Sequence, residues 1–261
     1  MRTQPTYWFA FAVLLVVTAE NLAAQDIMGG TVKYQQTERY DFDSVFGDFD
    51  DPRVTEWAAS LPKESQRVKV LYFSGNEALY EEDTAEQKPV SRKLQWAMAR
   101  ADYMKPPSTE LQKVYYDFRD NEKIEQVEFM TRDFLIFEKL ERKAWRLTNK
   151  STRILNYMCL GADLEMGDQS ITAWFTSEIP ISTGPDKFYG LPGLILAVEV
   201  DGETAFLATS IDLTPPAGGV LVKPDEGRKV TRKKLQRIME EKIKEYKKIT
   251  GDDPELERIR R

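Results

Sequence analysis

The alternation of apolar and polar residues along this chain changes period several times, and it is densest between residues 173 and 211. There, residues 194–200 (LILAVEV) are apolar on both alternating faces until Glu199, which predicts a strand covered on both sides. Turn chemistry brackets the run. Leu191-Pro192-Gly193-Leu194 places proline and glycine where a type II turn wants them, so the chain is expected to reverse there. Asp201-Gly202 supplies the residue pair of a type I′ hairpin, with residues 203–211 as the antiparallel return strand.

The same reading extends outward from this hairpin. Residues 26–40 alternate mildly and predict a first strand. Residues 66–73 (QRVKVLYF) alternate cleanly, with Val68, Val70 and Tyr72 on one face and the other face at least partly wet. Gly75-Asn76 turns the chain into a short partner at 78–81. Residues 89–103 carry Leu94, Ala97, Met98 and Ala101 at helical spacing, ended by Lys105-Pro106-Pro107. From Leu111 onward, segments 111–118, 123–130, 132–140, 143–149, 153–166 and 170–179 predict an antiparallel meander that the focal hairpin completes. After the break at residues 215–219, residues 220–223 predict one last strand. Residues 230–249 predict a helix capped by Thr231, with Leu235, Ile238, Met239, Ile243 and Tyr246 on one stripe. The class is therefore α+β: a mainly antiparallel, curved sheet, half-barrel-like, with a C-terminal amphipathic helix and one or two more.

The first two dozen residues read differently. Arg2 precedes a short apolar run at 8–17, and Leu22-Ala23-Ala24 offers small residues for cleavage, so residues 1–24 read as a signal peptide, the alternative being an uncleaved membrane anchor. The run is too short to span a bilayer, which takes ~20 residues. Residues 25–249 then form a single β-rich domain and 250–261 a polar tail, with no integral membrane span after cleavage.

Composition removes several chemistries. The 261 residues include no histidine, which excludes Ser-His-Asp and Cys-His nucleophiles. One cysteine, Cys159, allows no intrachain disulfide and no tetrahedral zinc site; its place in an alternating run favours burial as a small hydrophobe over a free thiol. The net charge of −6 gives no reason to expect nucleic acid. Residues 38–64 are locally acidic; Asp41, Asp43, Asp48, Asp50 and Asp51 form either a solvated loop or a calcium cluster, without EF-hand spacing. Residues 221–261 are basic, and the helix there either packs its stripe on the sheet or touches an anionic lipid surface. No metal site, cofactor or catalytic residue is assigned.

Gly190-Leu191-Pro192-Gly193-Leu194-Ile195 spells the motif for which the GLPGLI family is named. Gly184-Pro185, Lys187-Phe188, Glu178-Ile179-Pro180-Ile181 and Ala173-Trp174-Phe175-Thr176 surround it, as do Trp145-Arg146-Leu147-Thr148 and Tyr157-Met158-Cys159 upstream. Over residues 115–211 the chain resembles that family, exported proteins of Gram-negative bacteria without an established activity. The resemblance implies a periplasmic or outer-membrane-associated protein. It also implies cysteine at position 159, followed by basic residues where this chain has Leu160-Gly161. The glycines and prolines of the motif, with Leu191, Leu194 and Ile195, read as architectural.

Two functions follow from the aromatic and acidic residues. Trp145, Trp174, Phe188 and Tyr189 concentrate near the motif, either filling a core or lining a concave surface for an apolar ligand or a cell-envelope partner. A long meander with helices on one side looks like the half-open barrel of periplasmic lipoprotein carriers. The alternative is a periplasmic hydrolase working on carboxylates, with Asp163, Glu165 and Asp186 as candidates beside Asp168 and Glu178.

Overall fold

The computed structural model describes residues 29–47, 50–87, 89–104, 107–216 and 221–250. The signal segment 1–24, Asp48, residues 217–220 and the tail beyond residue 250 lie outside the described residues. The described chain forms strands β1 (Gly29–Arg39), β2 (Glu64–Ser74), β3 (Glu77–Glu82), β4 (Glu110–Asp117), β5 (Glu122–Phe129) and β6 (Arg132–Lys139). These are followed by β7 (Arg146–Ile154), β8 (Tyr157–Met166), β9 (Gln169–Thr176), β10 (Leu194–Val200), β11 (Glu203–Asp212) and β12 (Arg228–Val230). The helices are α1 (Phe42–Phe46), α2 (Pro52–Ala59), α3 (Arg92–Met104) and α4 (Arg232–Thr250).

All the strands belong to one open sheet, in the order β12-β6-β5-β4-β3-β2-β1-β11-β10-β9-β8-β7. Every pairing is antiparallel except that of β12 with β6. Two meanders, β1 to β6 and β7 to β11, meet at the β1–β11 pair. The uninterrupted meander expected from Leu111 onward is thus broken: β6 and β7, consecutive in sequence, lie ten places apart in the sheet. A flat sheet would separate them by ~48 Å at ~4.8 Å per strand. The connection from Lys139 to Arg146 reaches only ~25 Å when fully extended. The sheet must therefore curl, and its packing shows that it does. One cluster of buried side chains joins Val114 and Tyr116 of β4 to Cys159 of β8, far away in strand order.

Local expectations fare unevenly. At the β10–β11 hairpin Asp201 and Gly202 take φ of +53° and +83°, with Val200 opposite Glu203, as a type I′ turn requires. β10 is buried on both faces from Leu194 to Val198, and Glu199 is tolerated because the Trp174 indole N–H donates to it at 2.9 Å. The segment read as a strand over 153–166 contains a tight turn, with Leu155 at φ +53°, so β7 extends to Ile154 and β8 begins at Tyr157. On β2 the face expected to be wet is the drier one: Lys69, Leu71 and Phe73 are buried, while Tyr72 is only partly so. Residues 221–223, the described part of the strand expected at 220–223, form none; the last strand is Arg228–Val230, beside Phe134, Leu135 and Ile136 of β6.

Helices cover two places. α1, α2 and α3 pack on one another around Phe42, Phe46, Leu94 and Ala97, a satellite core with Phe46 and Trp96 stacked at 5.9 Å. Asp51 caps α2 and Ser91 caps α3, each side chain accepting a backbone N–H. α4 is capped by Thr231, whose hydroxyl accepts from the Lys234 N–H at 3.2 Å. Its stripe lies on the sheet: Leu235, Ile238 and Met239 pack against Val127, Phe129, Phe134 and Ile136. An ion network pins the same end, with Arg232 on Glu138 at 2.6 Å and on the buried Glu125 at 2.7 Å, and Lys123 bridging both acids. No described helix is long and apolar enough to cross a membrane.

Candidate functional site

Residues 177–193, between β9 and β10, decide what the curled sheet can hold. They leave the sheet after Thr176 and return at Leu194, so the whole excursion makes the reversal. The Pro-Gly pair supplies only its last step. The Gly193 N–H donates to the Leu191 carbonyl at 2.8 Å, a three-residue turn tighter than the type II turn expected, while the Leu194 N–H bonds to Ile179 O at 3.0 Å. Gly193 sits at φ +149°, and a Cβ there would collide with the Thr176 carbonyl. Gly184 lets the excursion rest on β10, where a Cβ would come 2.6 Å from the Ile195 Cβ. Gly190 is exposed, as is Pro192, while Pro185 and Leu191 are buried.

This excursion fills the interior of the curl. Ile179, Ile181 and Tyr189 join the cluster of Val32, Tyr34, Leu71, Tyr116 and Leu194. The Tyr189 ring packs on Tyr116 at 5.2 Å, and its hydroxyl both donates to Glu141 O and accepts the Glu141 N–H. The four aromatic candidates consequently divide between two clusters. Tyr189 and the half-buried Trp174 pack with the first, while Phe188 and the half-buried Trp145 pack with Phe175, Ile195 and Phe206 in another. Trp145 Nε1 donates to Tyr189 O at 2.9 Å. These contacts tie the aromatic groups to the excursion and to one another's elements.

The three carboxylate candidates are not brought together either. Asp163 accepts from Thr172 Oγ1 at 2.9 Å, and the exposed Glu165 meets Arg146 at 3.4 Å, both near the β7–β8 edge. Asp186 lies on the excursion with φ +52°, its carbonyl accepting from the Tyr116 hydroxyl at 3.1 Å. Asp168 sits in the β8–β9 turn, and Glu178 accepts the Met158 N–H. In the acidic segment, Asp43 pairs with Lys63 and Asp51 with Arg53; no group of three or more metal-ligating side chains occurs among the described residues. Cys159 is buried, and burial pushes its thiol up to about 11, so it stays protonated and behaves as a small apolar residue.

What the structure does bring together is a polar cleft that sequence reasoning missed. Its outer chamber, about 620 Å³, opens among Tyr40, Asp102, Met130 and Tyr246. Its inner chamber, about 250 Å³, is walled by Gln36, Lys69, Tyr80, Leu111, Asp186 and Lys187. Glu38, Arg67, Thr109 and Glu110 line both chambers. β1, β2, β3 and the start of β4 supply one wall, and the excursion supplies the floor through Asp186 and Lys187.

The electrostatics of the inner chamber are mixed. Arg67 pairs with Glu110 at 2.6 Å, and Glu38 accepts from Gln36 at 3.2 Å and from the Tyr40 hydroxyl at 3.1 Å. Lys69, 5% exposed, has Glu82 at 3.6 Å. Burial raises the Asp186 carboxyl above the usual carboxylate range, against the pull of Lys187 and Lys69. The Tyr80 hydroxyl is buried without a hydrogen-bond partner among the described residues, and burial raises it well above the ordinary phenol. The chamber thus presents cations, carboxylates and an unpaired hydroxyl within one small space.

Comparisons with known proteins add a family stretch and a fold. A family described as "Protein of unknown function (Porph_ging)" matches residues 163–197, from within β8 through the excursion into β10. No curated protein matches the chain. Two crystal forms of PNGF-II are similar in structure. The P21 form gives a TM-score of 0.51 at 13% identity, covering 82% of this chain and 34% of that one. The C2 form gives 0.52 at 14% identity, covering 82% and 33%. The chain therefore spans about a third of PNGF-II, and at that identity the likeness is one of fold: a curved, mostly antiparallel sheet shared with a longer protein.

Proposed function

We propose that this is a non-catalytic binding protein whose inner chamber holds a small polar ligand carrying both hydrogen-bond donors and acceptors. The observation that carries the proposal is the unpaired Tyr80 hydroxyl, buried beside Lys69 and Asp186 in a cavity with room for a guest. An unsatisfied buried hydroxyl costs ~1–3 kcal/mol, and a guest that accepts its proton would offset that cost. The apolar ligand suggested by the aromatic residues is displaced in this reading, because side chains of the excursion already occupy the interior of the curl. The GLPGLI resemblance and the leader-like composition of residues 1–24 favour an exported protein of the Gram-negative envelope.

The test is native mass spectrometry of the wild-type protein purified from its own host, beside Tyr80→Phe and Lys69→Met. A small-molecule adduct on the wild type that both variants lose is the expected result. The proposal fails if the wild type carries no adduct and no amino acid, dicarboxylate or sugar phosphate raises its melting temperature. It fails equally if Tyr80→Phe and Lys69→Met retain the adduct in full.

A further inference from the structure

β7 ends the sheet, and among the described residues β8 is its sole strand partner. Seven of its nine residues are exposed, the exceptions being Thr148 and Ile154. Its pairing with β8 is interrupted by a bulge between Leu147 and Ser151, and on either side of it the strand presents outward N–H and C=O groups, a template for another strand. Its side chains add two features. By register Leu147 stands opposite Ala162, Ser151 opposite Leu160 and Arg153 opposite Met158, so Leu147, Leu160 and Met158 share one face of the hairpin. All three are large, apolar and exposed, Leu147 at 63%. The strand also carries Arg146, Lys150 and Arg153 and no acid. Arg146 meets Glu165, whereas Lys150 and Arg153 meet no carboxylate among the described residues.

The charge selects the occupant. A second copy pairing β7 against β7 would set bases against bases across the junction, and like charges in that position destabilise a strand pair. Basic residues on an edge discourage self-association while attracting a chain of opposite sign. We propose that the β7 edge is a docking surface for an extended acidic segment of another protein, added as a further strand. Its backbone bonds to β7; on one face its apolar side chains lie on Leu147, Met158 and Leu160 beside the Arg153 stem, and on the other its carboxylates meet Lys150. This surface is separate from the polar cleft and does not depend on what the cleft holds.

The probe is a capped nine-residue peptide of alternating glutamate and valine, with a lysine-valine peptide as control, titrated into the full chain while amide exchange is followed. The acidic peptide is expected to slow exchange at residues 146–154, and its affinity to fall at least tenfold between low and half-molar salt. Lys150→Glu combined with Arg153→Glu, both exposed, should fold normally and transfer the preference to the lysine peptide. The proposal is overturned if the acidic peptide leaves those amides unprotected, if both peptides bind alike, or if the same amides become protected by dimerisation of the chain itself.

Discussion

At one end of the sheet the final strand, β12, is three residues long, and α4 follows it directly onto β5 and β6. At the other end β7 runs nine residues beside β8, with apolar side chains left in solvent. The first end is short, with Arg228 and Lys229 exposed, and beside it α4 is held on the sheet face by burial and by an ion network around a fully buried carboxylate, Glu125. The second is long and exposed, blunted by a bulge between Leu147 and Ser151 and by the charge of its bases. The difference shows two ways of handling a sheet margin: keeping it short beside a packed helix, or leaving it long and choosing by charge what can join it.

Breaking the comparison begins with the excursion that sits between the two ends. Gly193→Val forces a β-branched residue into a positive φ and its Cβ into the Thr176 carbonyl, so more than ~3 kcal/mol should be lost by urea denaturation. A variant melting within ~2 °C of wild type would show that the excursion does not hold the halves together. Next, Arg232→Met leaves Glu125 with Lys123 as its remaining close cation, and should cost ~2–3 kcal/mol because the charge stays buried.

Acid sharpens the same point. The Arg232 guanidinium, joined by Lys123, holds the Glu138 carboxyl at about 2, against an ordinary value of 4.5. Because the folded value is the lower one, this stabilisation is complete above pH ~4.5 and is lost as pH falls toward ~2. Arg232→Met should flatten that acid dependence in a series of melts from pH 5 to pH 2. The ends compare directly: Leu235→Ala on α4 should cost ~2–3 kcal/mol, whereas Leu147→Ser on β7, the smallest effect, should change stability by less than ~0.5 kcal/mol. Equal losses at the two positions would mean that β7 is covered after all.

Local chemistry was legible where neighbouring residues decide the outcome. The Asp201-Gly202 turn, the double burial of residues 194–198 and the apolar stripe of α4 follow from spacing and turn preference alone. What escaped was set by distant partners. Nothing near Val32 or Tyr34 announces that β1 will join β11, and Lys69 on an alternating strand reads as a wet residue until Glu82 and the cleft are placed around it. The cleft was illegible for the same reason, since Arg67, Tyr80 and Asp186 come from three separate parts of the chain. The excursion allowed two readings from sequence, the lining of a hollow or the filling of a core, and its buried residues pack inside the curl. Asp186 and Lys187 beside them gave a usable hint, two adjacent charges between apolar residues.

The β1–β11 pair also bears on how the molecule is born. Thr31 waits for Asp212, roughly 180 residues later, and at ~5–20 residues per second translation needs ~10–35 s to deliver it. Throughout that interval the nascent first half has one flank of β1 bare, and a pairing so distant in sequence is slow to form even once the chain is complete. Anything that holds nascent or newly released chains apart should therefore matter more to the yield of this protein than to its final stability.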